Sequence, residues 1–488
     1  MPHAIVVGSG IAGIAAALRL RHKGYTVAVY EANPYPGGKI HNLEKEGYRF
    51  DTGPSLFTMP HLVDELFQLF GDDPTDFFRY ERKKNICNYF WEDGTRFVAP
   101  ATREDFVSAA TETFAVSRAE LTAFLDRNRE KYDLTADIFL EKSLHKLGTY
   151  ASLDTLKSLL QAYKLDIGQS LHKTNEAAFT DPKLVQLFDR YATYNGSSPY
   201  RTPGIMSMIP HLEMHYGTFL PQGGMRQITH SLYEYSLTKG VTYHLSRPVE
   251  HIEVADSRVI GIRAGGFAPA DLVVSNADVF TSYQRLLPQA VRPRKILAQE
   301  RSSSALIFYW GIAGSFPELD LHNIFFSDDY REEFRHIFEE NGLYADPTVY
   351  VNITSKQESD DAPPGGENWF VMINTPGNFG QDWSALGTRA RAQILAKLSR
   401  VLGREIEPLI RCEAVLDPVT IETKTSSHRG SLYGASSNSK FAAFLRHPNF
   451  TSSVRNLYFC GGSVHPGGGI PLCLLSAKIV SNLIKPAA

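Results

Sequence analysis

Cysteine is scarce in this chain, with four in 488 residues, at positions 87, 412, 460 and 473. None pairs at metal-ligand spacing and they are too few for a disulfide framework, so each reads as a small buried apolar side chain in a reducing cytoplasm. No run approaches the roughly 18 apolar residues of a membrane span. Charge of one sign is also missing: 50 basic against 53 acidic residues leave a formal net charge of −3, which gives no electrostatic case for nucleic acid. Internal repeats and low-complexity segments are absent. With 43% hydrophobic and 21% charged residues, the chain is an ordinary globular protein, long enough for two or three domains.

The most informative segment is Gly8-Ser9-Gly10-Ile11-Ala12-Gly13, set between the apolar run Ala4 to Val7 and the alanine- and leucine-rich Ile14 to Leu20. Strand, glycine turn and helix follow in order. Gly8 permits the tight turn, Gly10 lets a pyrophosphate approach the backbone at the positive helix end, and Gly13 lets the helix pack close to the sheet. A second strand, Tyr25 to Tyr30, closes on Glu31, a carboxylate placed to accept hydrogen bonds from the hydroxyls of an adenosine ribose. It would repel a 2'-phosphate, which disfavours NADP. The apolar N-terminus lacks the basic start and cleavage site of a secretion signal, and its glycines are spaced for a turn.

Two further glycine loops follow, Pro36-Gly37-Gly38-Lys39 and Asp51-Thr52-Gly53-Pro54-Ser55. They suggest one long ligand lying over all three turns, with Lys39 offering a cation to its phosphates. Residues 60 to 210 read mostly as helix. Leu153, Leu156, Leu159, Leu160 and Tyr163 share one face, and Lys142, Lys146, Lys157, Lys164 and Lys173 lie among them. That pattern suits either a helix on an anionic membrane surface or a plain amphipathic helix packed on its own core.

Pro221-Gln222-Gly223-Gly224-Met225 then precedes a helix from Arg226 to Lys239. Short strands come next, at Val241 to Leu245, Val249 to Val254, Val259 to Arg263 and Asp271 to Ser275, the last ending at Asn276-Ala277-Asp278. Longer ones follow at Ala305 to Ile312, Thr348 to Ile353 and Trp369 to Ile373, as expected for an antiparallel sheet that forms a pocket wall. The last motif, His465-Pro466-Gly467-Gly468-Gly469-Ile470-Pro471, leads into a helix running to about Ile484 and offers exposed amides at its start. His465 reads as capping or orienting that loop rather than as a base. No second glycine fingerprint follows a strand, so one dinucleotide is expected.

A dinucleotide site built from both ends of the chain resembles a flavoprotein. More specifically, the opening motif, the Gly37 and Gly53 loops, Gly223-Gly224 and above all His465 to Pro471 resemble the phytoene desaturase family of carotenoid oxidoreductases, along essentially the whole chain. The continuation Leu472-Cys473-Leu474-Leu475-Ser476-Ala477-Lys478 is most similar to the hydroxycarotenoid 3,4-desaturase branch, which points away from phytoene itself as substrate.

The resemblance implies an α/β fold: an FAD-binding Rossmann-like three-layer domain from residues 1–90, 211–290 and 421–488. Into it are inserted a helical substrate or membrane region at 91–210 and an antiparallel-sheet substrate domain at 291–420. It implies FAD held by Gly8, Gly10, Ile11, Ala12, Gly13, Glu31, Gly38 and Lys39, then by Gly53, Pro54, Ser55, Val249 and Asn276, and finally by Gly462, Gly469, Ile470 and Pro471. A lipophilic carotenoid, peripheral contact with the inner face of the cell membrane, and oxygen or a quinone as electron acceptor are implied as well. No metal is expected and no catalytic residue is assigned; His211, Glu213 and Tyr216 are the candidates for a proton acceptor. Phytoene desaturation, carotenoid isomerisation, amine or porphyrinogen oxidation, and a non-enzymatic dissociation-inhibitor role are the competing readings.

Overall fold

The computed structural model describes residues 1–139, 144–145, 161–439 and 444–487. A five-stranded parallel sheet is assembled in the order 457–459, 272–275, 3–7, 26–30 and 242–244. Side chains of the central strand alternate between two cores, as strand geometry requires. Ala4 and Val6 pack with the helices Ile11–His22, Arg226–Thr238 and Ile470–Leu483. Ile5 and Val7 face Ile252, Val259 and Ile262 of a three-stranded antiparallel sheet. The result is the expected three-layer arrangement. Ala12, Ala15, Ala16 and Ala17 are almost fully buried, and their small side chains let the first helix lie close to its neighbours.

The second sheet has seven strands in the order 410–416, 304–313, 366–375, 349–353, 322–325, 85–90 and 96–100. It is antiparallel except where 322–325 runs parallel to 85–90. One face, with Leu306, Phe308, Trp310, Val371 and Ile373, is covered by Ala390, Ile394 and Leu398 of the helix Trp383–Leu402. On the opposite face Ile307, Tyr309 and Phe370 meet Tyr48 and Phe50 of the hairpin 42–51. Gly311 has a specific role in this contact. A methyl group there would lie 2.6 Å from the Tyr48 ring.

Two expectations change. The region read as mostly helical contains the strands 80–82, 85–90 and 96–100, and the last two, which lie on either side of the boundary set at residue 90, both join the large sheet. Burial of nearly every residue in Asn85–Phe90 conceals the period of two, whereas Arg96 to Ala99 alternates out and in. Leu153, Leu156, Leu159, Leu160, Lys142, Lys146 and Lys157 lie outside the described residues. Of the other basic residues, Lys164 is bound to Glu130 at 2.5 Å, and Lys173 sits in the short helix Leu171–Glu176. Among the described residues no helix is long and apolar enough to cross a membrane.

Candidate functional site

The N-terminal turn is built as its glycines require. Gly8 takes φ +93°, a left-handed value open to glycine, and its N–H donates to the Tyr30 carbonyl at 2.8 Å. A methyl group on Gly13 would stand 2.1 Å from the Gly8 carbonyl, and one on Gly10 2.7 Å from Asn276 Oδ1. Ile11 and Ala12 open the helix, buried beneath the turn.

The loops expected to lie over one ligand do meet here. Gly37 N–H donates to the Ser9 carbonyl at 2.9 Å, and a methyl on Gly38 would lie 3.2 Å from Gly10 Cα. At Gly53 an added methyl would fall 1.8 Å from the Lys39 carbonyl. Pro54 is exposed, and Ser55 hydroxyl bonds the Tyr350 hydroxyl of the large sheet at 2.7 Å. Tyr350 also meets His322 Nδ1 at 2.7 Å, and burial holds that imidazole down to about 4.

Asn276 is the junction of the two chain ends. It follows the strand 272–275, and its Nδ2 donates to the Cys460 carbonyl at 3.1 Å. A methyl on Gly461 would lie 2.5 Å from that same Nδ2. Beyond Gly461, Gly462 and Gly468 are in backbone contact, and Gly469 precedes the helix Ile470–Leu483 with Pro471 in its first turn. A methyl on Gly469 would meet nothing within 4 Å. Val249 is partly buried against the core that also holds Val7, Tyr30 and Ala277, the neighbours of Gly8, Glu31 and Asn276.

Glu31 closes its strand as expected, but its carboxylate is already engaged. Oε2 accepts from Ser9 N–H and Oγ, and Oε1 from Asn33 N–H and Nδ2, at 2.7 to 3.0 Å. Lys39, expected to offer a cation to phosphates, donates to the carbonyls of Ser431 and Leu432 at 3.1 and 2.9 Å. Burial lowers its ammonium to about 8, against the pull of Asp278. His465 is buried, and its carbonyl accepts from Asn449 Nδ2 and Ser476 Oγ, in keeping with a residue that orients its loop.

Of the three candidate proton acceptors, His211 and Tyr216 both meet Tyr132, whereas Glu213 faces another set of residues. His211 and Glu213, two positions apart on the helix Ile209–Tyr216, point in directions about 200° apart. His211 stacks on His215, and burial lowers it to about 4. Tyr216 hydroxyl pairs with that of Tyr132 at 2.8 Å. Glu213 is fully enclosed, accepting from the hydroxyls of Tyr191 and Tyr194, with Arg190 Nη2 3.6 Å away; burial raises its carboxyl.

Sequence reading missed a set of cations. Arg301 Nη2 pairs with Asp278 at 2.5 Å, and Arg446 Nη1 donates to the Tyr433 carbonyl at 3.0 Å. Both are isolated residues in irregular segments, where no motif marks them. Asn449, which anchors the His465 loop, likewise carries no signal beyond its side chain. The Gly223-Gly224 turn also has a role not foreseen: Asp51 Oδ2 accepts from Met225 N–H at 2.9 Å, while Arg49 holds Asp51 and Asp361 together.

These features suit a long anionic dinucleotide. The turns at 8–13, 37–38 and 53 present backbone with no side chain, the helices at Ile11 and Ile470 add their amide ends, and the buried cations outnumber the carboxylate beside them.

The comparisons agree. The model of flavin containing amine oxidoreductases matches residues 11–485. The chain is 57% identical to a 1-hydroxycarotenoid 3,4-desaturase from Flavobacterium sp. (strain P99-3), covering 99% of each chain. A 4,4'-diapolycopene oxygenase from Methylomonas sp. is 31% identical, over 98% of this chain and 97% of the relative. Among solved structures, a putrescine oxidase double mutant superposes with a TM-score of 0.64 at 17% identity, covering 99% of this chain and 98% of that one, a likeness of fold alone. With a glycine turn at one end, an amide-rich helix at the other and a family match between them, the protein belongs to the flavin-containing amine oxidoreductases and is an FAD-dependent oxidoreductase.

Proposed function

We propose that the protein introduces a carbon–carbon double bond at the 3,4 position of a hydroxylated carotenoid end group. The observation that carries this reading is the 57% identity, along the full length of both chains, to a 1-hydroxycarotenoid 3,4-desaturase. FAD supplies a hydride acceptor when bound. The residues that would hold it are those brought together above: the amides and bare backbone of Gly8 to Gly13, Glu31 on the ribose in exchange with Asn33, Gly38, Gly53 to Ser55, Asn276, and Gly462 with Gly469 to Pro471. The first helix N-terminus would receive the diphosphate. The C-terminal helix would lie against the ring.

Desaturation removes a hydride from one carbon and a proton from its neighbour. In a conjugated polyene the positive charge left by the hydride is spread by allylic delocalisation, so binding, orientation and exclusion of water matter more than an elaborate acid–base set. The hairpin-facing side of the large sheet supports that role, because Ile307, Tyr309, Tyr350 and Phe370 make it apolar and aromatic. With one glycine fingerprint, electrons pass on to oxygen or a membrane quinone rather than to a bound nicotinamide. A polyene dissolved in lipid calls for peripheral contact with a membrane, read out by flotation with anionic liposomes.

Expression in cells that accumulate lycopene, phytoene or a 1-hydroxylated carotenoid, followed by product chromatography, tests the assignment. A product lighter by two hydrogens from the hydroxylated precursor is expected. Turnover of phytoene with none of the hydroxylated compound would overturn it.

A further inference from the structure

We infer that Arg446, with Lys39 and Arg301, forms an electropositive seat for the flavin ring and holds the negative charge the ring acquires on reduction. The inference rests on the cofactor site proposed above. It begins with an imbalance of buried charge.

The three cations converge on one segment, residues 431–433. Lys39 Nζ donates to the carbonyls of Ser431 and Leu432, Arg446 Nη1 to the Tyr433 carbonyl, and Arg301 Nη2 reaches Ser431 Oγ at 3.4 Å. Asp278 neutralises Arg301. Among the described residues neither Lys39 nor Arg446 forms an ion pair, although Asp278 also attracts Lys39. His428, which also feels Arg301 and Asp278, is kept neutral by burial, so it adds no further positive charge.

Arg446 is the most exposed to this imbalance in energy and the least in space. It is 3% accessible to solvent, its Nη2 reaches Ser437 Oγ only at 3.4 Å, and its Nε has no acceptor among the described residues. An unpaired guanidinium so deeply buried is costly unless a bound group offsets it. Its surroundings sharpen the point. Arg446 Nε lies 3.1 Å from where a methyl on Gly467 would stand, and Gly468 is pressed against Tyr433 at 2.7 Å by the same measure. Lys39 feels Cys473 in the first turn of the C-terminal helix. The cations thus gather at the positive end of that helix, where the backbone dipole would repel them. An anion placed there satisfies both.

The diphosphate has its own seat at the first helix, so the group left for this place is the ring. Two-electron reduction with uptake of one proton adds one negative charge to it. Fixed positive groups aimed at that charge favour the reduced form without reorganisation.

The test uses purified holoenzyme and measures the flavin midpoint potential, sulfite affinity and the Kd for FAD in wild type, Arg446→Met, Arg446→Lys and Lys39→Met. Arg446→Met is expected to weaken the preference for reduced over oxidised flavin about tenfold, which is about 30 mV lower for a two-electron couple. Sulfite affinity falls with it, and Arg446→Lys recovers part of both. Should Arg446→Met fail to fold, Lys39→Met shows the same direction. Unchanged potentials in flavin-loaded variants overturn the inference and leave the cofactor site standing. Weaker FAD binding at unchanged potential places the cations on the diphosphate and overturns it too. A wild type that takes up no flavin overturns the cofactor site itself.

Discussion

Glu31 grips Ser9 twice, through its backbone N–H at 2.7 Å and its hydroxyl at 2.8 Å, both on the same carboxylate oxygen. The residue at the end of the second strand therefore sets the shape of the glycine turn at the end of the first. Glu31→Gln replaces one acceptor oxygen by an amide that points hydrogens at donors. A loss of about 2 kcal/mol is expected by urea unfolding, from charge-assisted bonds broken in a buried place. FAD retention on gel filtration falls with it. Full retention would remove Glu31 from the cofactor site.

Two glycine-to-alanine changes should act in opposite directions. Gly53→Ala places a methyl 1.8 Å from a backbone carbonyl that cannot swing aside, so the 51–55 loop must shift and the flavin is lost. Gly387, inside the helix Trp383–Leu402, has nothing within 4 Å of the corresponding point. Gly387→Ala should raise stability by about 0.5–1 kcal/mol. Thermal unfolding and visible absorbance of the purified variants check both.

Acid should unfold the protein partly through buried histidines. His322 and His447 are nearly inaccessible, and burial lowers each to about 4. An unfolded histidine titrates near 6.5, so below that pH the unfolded chain takes up protons that the folded one refuses. Their contribution is complete above pH 6.5 and lost as pH falls toward about 4, up to about 3 kcal/mol for each. Glu333, raised by burial to about 7, works the other way between those limits. His447→Gln isolates one term. The stability gap between wild type and this variant should narrow steadily from pH 6.5 to 4; a constant gap would refute the assignment.

Tyr350 joins Ser55 to His322 through its hydroxyl. Tyr350→Phe removes both bonds and leaves two half-buried or buried polar groups behind, at a cost of about 1–3 kcal/mol. Chemical unfolding reads the loss.

The parts legible in the sequence were those where geometry leaves little choice of residue. Gly8 needs its positive φ, Gly13 its bare Cα, and Pro471 belongs in a first helical turn, so each announces its element. The strands 304–313, 349–353 and 366–375 were visible from β-branched and aromatic runs. Less visible was anything decided by pairing across long separations. Nothing local says that 85–90 lies parallel to 322–325, or that Arg446 and Lys39 meet around residues 431–433. Glu31 shows the intermediate case: its position was readable, while its engagement by Asn33 depends on the turn that follows the strand.

The order of strands in the parallel sheet has a consequence for how the protein is made. The strand 3–7 leaves the ribosome some 270 residues ahead of its neighbour 272–275, and 457–459 follows later still. At about 5–20 residues per second, synthesis leaves that apolar first strand without its central partner for tens of seconds. The parallel sheet thus closes only after the strands of the large sheet have emerged. During that interval, chaperones or the membrane surface have the opportunity to hold what the sheet later buries.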